Sequence, residues 1–361
     1  AAERSNKELF LGSYPITPAS DILHELAKHK NLGVKTFQAE DEIAAICSAI
    51  GASFTGSLAI TTTSGPGFAL KGEALGLAIM TELPLVVVDV QRGGPSTGLP
   101  TKTEQSDLMQ ALYGRNGESP AIVLACSTPA NCFDWAYIAS KITLEHNTPV
   151  ILLSDGYLGN GAEPWKIKST QEMPEIQAKI ANKNEDYQPY ARDNKTLARK
   201  LALPGTKGLE HRIGGLEKED ITGNVSYDAN NHEKMVGIRA SKIQQLANII
   251  PEQKIFGIPK GELLVVGWGG TYGSLYSAVN NLINKGKKIG LCHFNYINPL
   301  PKNTAKIFDQ YKNIIVCELN SGQFANYLRM SFQGTIFNQY NKIQGLPFTI
   351  SELESHFKQL L

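Results

Sequence analysis

The sequence predicts an α/β protein: a doubly wound domain on a parallel sheet, followed by a smaller second α/β domain. Three observations carry this. Short apolar runs alternate with helical patterns along both ends of the chain. The runs are continuous rather than alternating, as strands buried on both faces must be. And the 33 glycines fall largely in pairs and short clusters, where strands would turn tightly into helices. A length of 361 residues allows two or three domains at roughly 150 residues each. With 42% hydrophobic and 19% charged residues the composition is globular rather than disordered.

Taken in order, strands are expected to begin near Leu9, Val34, Leu58, Leu85, Ile122 and Val150, each rich in aliphatic or β-branched side chains. Thr17-Pro18 precedes a helix over Asp21–His29, and Thr128-Pro129 precedes one over Cys132–His146; Thr as N-cap and Pro at the first helical position fit both. The acidic triplet Glu40-Asp41-Glu42 opens a helix running to about Ser53. Repeated strand–helix units imply right-handed crossovers and a ligand site at the carboxyl ends of the strands. From Trp165 to about Gln244 the pattern fails. This stretch is polar, with Lys-Asn-Glu-Asp at 183–186 and glycine-rich segments at 205–215. A connection of that length is a functional loop or an excursion between domains. A second α/β unit then follows. Strands are read at Leu263–Val266, Ile289–His293 and Ile314–Cys317, with a helix over Ser274–Lys285 stopped by Gly286. Further helices are placed near Thr304–Tyr311, Gln323–Phe332 and Ser351–Leu361. The resulting division is a first domain over 1–185, a polar linker over 186–250 and a second domain over 251–361.

Composition also excludes. Lys plus Arg is 35 and Asp plus Glu is 34, a net charge of +1, which offers no general attraction to nucleic acid or an anionic membrane. No apolar run approaches the roughly 18 residues of a membrane span. The chain starts at Ala1 with no signal-peptide pattern, which reads as a fragment of a cytoplasmic protein. None of its five cysteines forms a C-x-x-C pair, and Cys47, Cys126, Cys292 and Cys317 fall inside apolar patterns, as small buried hydrophobes would. The chain is thus expected to carry no iron–sulfur cluster of its own with the usual spacing.

Three loops follow strands at the expected carboxyl edge: Tyr14–Pro18, Thr63–Gly67, and Gln91–Gly98 continuing through Thr103–Asp107. They offer hydroxyls, backbone N–H groups and one guanidinium, Arg92, a fork of donors suited to a carboxylate. Glycine and proline alone would explain any one loop as a turn; three on one edge make a site the better reading. For the acidic triplet, pattern alone favours a structural role, because acids in a first helical turn complement the macrodipole.

The motifs YPITPAS at 14–20, QAEDE at 38–42, TSGPG at 63–67 and QRGGPSTGLPTKTEQSDL at 91–108 resemble the α subunit of 2-oxoacid:ferredoxin oxidoreductases. The resemblance continues through PVILLSDGYL at 149–158, the stretch 208–235 and VVGWGGTYGS at 265–274, so it covers nearly the whole chain. It is greatest to the 2-oxoglutarate type. Glu40 lies 23 positions before Thr63, the separation that many thiamine-diphosphate enzymes show between a Glu and the T-S-G-P-G turn of their pyrimidine-binding domain. The resemblance therefore implies a thiamine pyrimidine-binding domain followed by a transketolase C-terminal-like domain. It implies that Glu40 is the catalytic acid on the cofactor's aminopyrimidine ring and that Thr63, Ser64 and Gly65 bind the same cofactor. Thr17 and Arg92 match positions that hold the substrate carboxylate. The implied reaction is oxidative decarboxylation of 2-oxoglutarate to succinyl-CoA, with coenzyme A as acyl acceptor and ferredoxin as electron acceptor. Branched-chain 2-oxoacids or pyruvate are the alternative substrates, and a non-catalytic nucleotide-binding or scaffold protein is the alternative class.

Partners follow from the same resemblance. The diphosphate and Mg2+ half of the site belongs to a β subunit, the iron–sulfur clusters to partner subunits, and a γ domain or subunit often precedes this one. No metal ligand is assigned to this chain. Ser154-Asp155-Gly156 with Asn182 imitates the diphosphate motif, but Asn182 lies in a Lys/Asn/Glu-rich stretch with no supporting strand. Gly267-Trp268-Gly269-Gly270 imitates a dinucleotide fingerprint with its last glycine misplaced; packing or subunit contact is the better reading. His24-Glu25 with His29 departs from H-E-x-x-H, since an i,i+5 spacing turns the histidines to different helix faces. Lys102 could reach a second carboxylate, although an exposed loop lysine needs no such role. His211 and His232, in the linker, are expected to make polar surface contacts.

Overall fold

A computed structural model of the chain describes residues 1–183 and 186–361. Asn184 and Glu185, inside the polar run at 183–186 and at the expected boundary of the first domain, lie outside the described residues.

The chain opens with α1 (Ala2–Ser5), and the first sheet is then built from β1 (Leu9–Ser13), β2 (Lys35–Gln38), β3 (Leu58–Thr63), β4 (Leu85–Gln91), β5 (Ile122–Ala125) and β6 (Pro149–Asp155). Between them run α2 (Ser20–Leu26), α3 (Glu42–Phe54), α4 (Gly65–Leu70), α5 (Gly72–Thr81), α6 (Leu108–Tyr113) and α7 (Asn131–His146), with α8 (Gly156–Asn160) after β6. The second unit contains α9 (Ala229–Gln245), β7 (Phe256–Gly257), β8 (Gly261–Trp268), α10 (Tyr272–Asn284), β9 (Ile289–Phe294) and β10 (Tyr296–Asn298). It closes with α11 (Thr304–Phe308), β11 (Tyr311–Glu318), α12 (Gln323–Ser331), β12 (Asn338–Asn341) and α13 (Ile350–Lys358).

The strand order β10-β5-β6-β4-β3-β1-β2 makes a doubly wound sheet, parallel except where β10 joins β5. The central strands β4 and β6 are almost wholly buried, which is why they read as unbroken apolar runs rather than alternating ones. The second sheet has the order β12-β11-β8-β9-β7, with β8 between β11 and β9 in parallel. One apolar core runs across both units, from Ile46, Leu75 and Val87 of the first to Trp268, Phe294 and Phe324 of the second. Because β10 comes from beyond residue 250 yet completes the first sheet, the two sheets are bound by shared pairing as well as by packing.

Two stretches differ from the sequence expectation. The 186–250 segment is not all linker, since α9 is a 17-residue helix. Its buried side chains include Arg239 and Lys242, so it is held by ion pairs as much as by Met235 and Ile243, and an apolar stripe is a poor guide to it. Arg239 donates to both oxygens of Glu217, and Lys242 Nζ donates to Glu82 at 2.5 Å and to the Asn147 carbonyl at 2.9 Å. Cys47, read as buried, is on the exposed face of α3; Cys126, Cys292 and Cys317 are buried.

The polar excursion before α9 is held by cations. Arg192 grips Glu82 through both carboxylate oxygens, and Arg192, Arg199 and Lys218 surround the buried Tyr190 ring. Glu82 and Asn147 stand just before β4 and β6, so this segment docks at the amino edge of the sheet, opposite the strand ends where ligands bind.

Candidate active site

At the carboxyl edge, neighbouring strands deliver the residues singled out above. β2 and β3 both pair with β1, so the chain beyond Gln38 and beyond Thr63 emerges on either side of Tyr14. Their ends are two strand spacings apart, roughly 10 Å. Glu40 leaves the end of β2, Thr17 lies in the loop after β1, Thr63-Ser64-Gly65 turns from β3 into α4, and Arg92 follows β4, which pairs with β3.

The acidic triplet resolves into three different residues. Asp41 is the N-cap of α3, its carboxylate accepting from Ala44 N at 2.7 Å. Glu42 is buried beneath the turn after β3, where its backbone carbonyl accepts from Lys71 Nζ at 2.8 Å. Burial pulls the Lys71 ammonium down to about 8 while Glu42 opposes that shift. Glu40 alone of the three is exposed, and the apolar residues three positions to either side in sequence, Phe37 and Ile43, are exposed too. The structure thus leaves Glu40 as the acid able to reach a ligand and gives its neighbours structural tasks.

At the T-S-G-P-G turn, Thr63 is fully buried and Ser64, the N-cap of α4, has a fully buried hydroxyl with no hydrogen-bond partner. Gly67 is enclosed: a β-carbon there would overlap Thr63 Oγ1 and the Glu42 side chain. The turn therefore requires glycine at 67 and carries one unsatisfied hydroxyl.

Arg92 is nearly buried, and one of its terminal nitrogens donates to the Thr17 carbonyl at 2.6 Å, so the two residues assigned to a substrate carboxylate meet. Its Nε–H has no partner. Beside them, a cleft of about 450 Å³ is lined by Thr17, Thr101, Lys102, Thr103, Tyr157 and Asn160, and closed by the loop Gly345–Pro347 of the second unit.

The loop bearing Arg92 is clamped by residues that the sequence reading quoted but did not single out. Gln105 is fully buried; its Nε2 donates to the Trp268 carbonyl at 2.7 Å and its Oε1 accepts from Leu319 N at 3.0 Å. Asp155 also crosses between the units, accepting from Thr103 Oγ1, Tyr157 N, Leu158 N and Gly270 N. The Ser154-Asp155-Gly156 turn is therefore a helix cap and an inter-unit tie. Gly269, with φ +62°, and Gly270 let the β8–α10 turn approach this closely, since a β-carbon at Gly270 would press into the Asp155 carboxylate. Glu318 is buried with four donors, Trp268 Nε1, Asn320 Nδ2, Phe324 N and Ala325 N. A lone acid inside an apolar strand was the available signal for Asp89, in LVVVDVQ, and it was passed over.

The remaining histidines take ordinary roles. Glu25 pairs with Lys28 and His29 on the surface, His232 pairs with Glu217, and His211 Nδ1 contacts the Leu209 carbonyl. Among the described residues no group of three or more His, Cys, Asp or Glu is placed to hold a metal ion, and no helix is long and apolar enough to cross a membrane.

Comparison with known proteins places the chain in a family. Residues 5–230 match the family described as pyruvate flavodoxin/ferredoxin oxidoreductase, thiamine diphosphate-binding, and residues 261–353 match pyruvate:ferredoxin oxidoreductase core domain II. The chain is 52% identical over 355 residues to the 2-oxoglutarate oxidoreductase subunit KorA of Mycobacterium tuberculosis, covering 98% of this chain and 54% of that protein. It thus spans about half the length of this relative. It is 34% identical to the 2-oxoglutarate synthase subunit KorA of Archaeoglobus fulgidus, covering 87% of this chain and 83% of that one. Among solved structures, a 2-oxoglutarate:ferredoxin oxidoreductase from Magnetococcus marinus, with 2-oxoglutarate, coenzyme A and succinyl-CoA bound, superposes with a TM-score of 0.92 at 34% identity, covering 99% of this chain and 63% of that one. A split-gene transketolase with a TM-score of 0.53 at 9% identity shares the fold alone. Since the first of these family matches spans well over half of the chain, the protein belongs to the pyruvate flavodoxin/ferredoxin oxidoreductase family and carries its thiamine diphosphate-binding domain.

Proposed function

We propose that the chain is the α-type subunit of a 2-oxoacid:ferredoxin oxidoreductase that oxidatively decarboxylates 2-oxoglutarate to succinyl-CoA and passes the electrons to ferredoxin. The observation that carries this reading is the convergence on one sheet edge of Glu40, the Thr63-Ser64-Gly65 turn and the Thr17–Arg92 contact. The relatives' names and the ligands of the Magnetococcus marinus structure support 2-oxoglutarate as the substrate. Pyruvate and branched-chain 2-oxoacids are the competing substrates.

The residues present fit the aminopyrimidine end of thiamine diphosphate. They supply a reachable carboxyl, an unsatisfied buried hydroxyl and a glycine turn packed too closely against Asp107, Thr63 and Glu42 to admit side chains of its own. When bound, the cofactor supplies the carbon nucleophile and electron sink that decarboxylation of a 2-oxoacid needs. Glu40 would hold a proton at the ring nitrogen, the general acid–base role of this chain. Arg92 would direct its free donors at the substrate's 1-carboxylate, with the Thr17 hydroxyl beside it. Lys102, on the same cleft as Thr17, is the cation available to the second carboxylate of 2-oxoglutarate.

A proton-sharing acid works best shielded from water, yet Glu40 is exposed, as are the apolar residues Phe37 and Ile43 near it in sequence. That supports a partner chain covering it: a β subunit contributing the diphosphate and Mg2+ half of a shared site. Iron–sulfur clusters would lie on partner subunits, and a γ domain or subunit, ferredoxin and coenzyme A complete the assembly, in the cytoplasm.

The test is reconstitution with a β-type chain carrying a G-D-G…N motif, followed by viologen reduction with 2-oxoglutarate, pyruvate and 2-oxoisovalerate compared. Glu40→Ala should lower turnover by about 10²–10⁴-fold. Arg92→Ala should lose mainly substrate affinity while retaining thiamine diphosphate. Full turnover by the Glu40 variant would remove the mechanism, and equal loss of substrate and cofactor binding in the Arg92 variant would recast that residue as structural.

A further inference from the structure

Among the described residues, four carboxylates are buried to 2% exposure or less, and three of the four are met by donors. Glu82 is met by Arg192 and Lys242, Asp155 by four donors and Glu318 by four. Asp89, in the middle of β4, is fully buried and neither of its oxygens receives a hydrogen bond. What it faces is another acid. Asp107, the N-cap residue of α6, lies within hydrogen-bonding reach, and its Oδ2 is likewise buried without a donor. Two ionised carboxylates side by side in an apolar interior repel strongly, and neither oxygen of Asp89 has a donor to offset that.

We propose that Asp89 and Asp107 share a single proton, and that this pair is a positioning device which sets the charge facing Arg92 and so the affinity for a substrate carboxylate. The inference rests on the functional reading above for its second half and on the chain alone for its first. Asp107 sits directly under the cofactor turn: a β-carbon at Gly65 would lie 2.8 and 2.9 Å from its two carboxylate oxygens. Its backbone N–H donates to Gln91 Oε1 at 3.2 Å, and Gln91 is the residue before Arg92. The pair therefore touches the Ser64-Gly65 turn on one side and the root of Arg92 on the other.

The charges bearing on the pair come from the 91–108 loop, Arg92 and Glu104. From β3 and α4 the neighbours are Thr63, Ser64 and Gly65, and from β6 the residue in register is Leu153, none of them charged. With one proton shared, the pair carries a single negative charge. Losing that proton would set a second negative charge against Arg92 and oppose an incoming anion. Burial holds both carboxyls above the ordinary carboxylate range, Asp107 at about 6 and Asp89 well up with the Asp107 charge adding to burial, so the shared proton is kept to higher pH than an ordinary carboxyl keeps its own.

Infrared difference spectroscopy on the whole chain tests the first half without substrate. At neutral pH, Asp89→Asn and Asp107→Asn should each remove the same single protonated-carboxyl carbonyl band, because either amide replaces the shared proton. No lost band, or two distinct bands lost, overturns the shared proton; should Asp89→Asn fail to fold, the Asp107→Asn spectrum decides. In the reconstituted complex, KM for the 2-oxoacid should rise about tenfold at alkaline pH with kcat much less affected, the scale of one added charge near Arg92. Asp89→Asn, which cannot gain that charge, should keep KM flat. A parent KM that does not respond to pH, or a variant that still does, overturns the positioning role. Absence of turnover by any variant and the parent alike would count against the oxidoreductase reading, while the infrared band still decides the proton.

Discussion

Gln105 offers a sharp test of how the second unit supports the site. Its side chain and backbone make four hydrogen bonds, all to the far side of the junction: N to the Leu319 carbonyl, Nε2 to the Trp268 carbonyl, Oε1 from Leu319 N and its own carbonyl from Asn320 Nδ2. Gln105→Ala keeps the backbone bonds, and the Trp268 carbonyl still accepts from Thr271 Oγ1 at 2.7 Å, but the Leu319 N–H is left without a partner in a dry interior. One orphaned group costs about 1–3 kcal/mol. At about 2.1 cal/mol/K per residue, the unfolding entropy of 361 residues is about 0.8 kcal/mol/K, which converts that loss to a Tm drop of about 1–4 °C. Gln105→Leu restores volume without restoring the partner and should fall in the same range. Calorimetry on the parent and both variants checks this. A drop below about 0.5 °C for both, against the range expected for one orphaned group, would refute the claim that these bonds hold the loop. Because the same loop carries Arg92, Gln105→Ala should also weaken substrate binding more than it slows turnover.

Other expectations follow the same logic. Glu82→Ala leaves Arg192 and Lys242 buried without their counter-charge and should cost about 3–5 kcal/mol, with faster proteolytic cleavage in the polar excursion; an unchanged cleavage pattern would mean the ion cluster does not anchor it. Surrounding cations hold Glu82 below the ordinary carboxylate range, whereas burial, with the Arg192 and Arg199 charges behind it, draws Lys242 down to about 8; the donation from Lys242 Nζ to Glu82 favours the charged pair. Gly67→Ala drives a methyl into Thr63 and Glu42 and should destabilise by about 1–3 kcal/mol while loosening thiamine diphosphate, measured by calorimetric titration of the complex. His146 is buried and pushed down to about 4 by burial, with the Lys242 charge second. Its unfolded value is about 6.5, so the unfolded chain binds the extra proton first. Its share of stability is complete above about pH 6.5 and is lost as pH falls toward about 4. His146→Gln should flatten that part of the stability profile; a profile identical to the parent's would exclude His146 as its source.

Much of the fold was legible because its determinants are local and apolar. β1, β3, β4 and β5 begin where aliphatic runs begin, and Gly286, with φ +78°, ends the helix before it as a left-handed stop does. The short strands β7, β10 and β12 were missed, since two to four residues hold no periodicity and their pairing is decided by distant chain. The helix α9 was missed because its buried face carries Arg239 and Lys242, which look like solvent residues until Glu217 and Glu82 are placed opposite them. The first helix start also differs: Ser20–Leu26 follows Ala19, while the Thr17 carbonyl is taken by Arg92. A contact across 75 residues overrode a local capping signal.

On the proposed reading, in which a second chain completes the candidate site, burial is the wrong filter for its residues. Ranked by burial and displaced ionisation, the leading acids among the described residues would be Asp89, Asp155, Glu318 and Glu82, with Asp107 next and Glu42 high by burial alone. Asp155 and Glu318 owe their burial to hydrogen-bonded ties that the fold itself needs, and Glu42 owes its place to the packing of the turn above it. Glu40 fails the filter because it is exposed, as the proposed covering by a second chain would require. Its position, at the end of β2 and two strands from an unsatisfied serine hydroxyl, is what distinguishes it from an ordinary surface carboxylate. For a site divided between chains, the telling signs are unfinished ones: an acid left in water with exposed apolar residues near it in sequence, a buried hydroxyl with nothing to bond, and a guanidinium with a free donor. All three occur on one edge of one sheet here, whereas the completed polar networks lie at the junction and at the opposite edge.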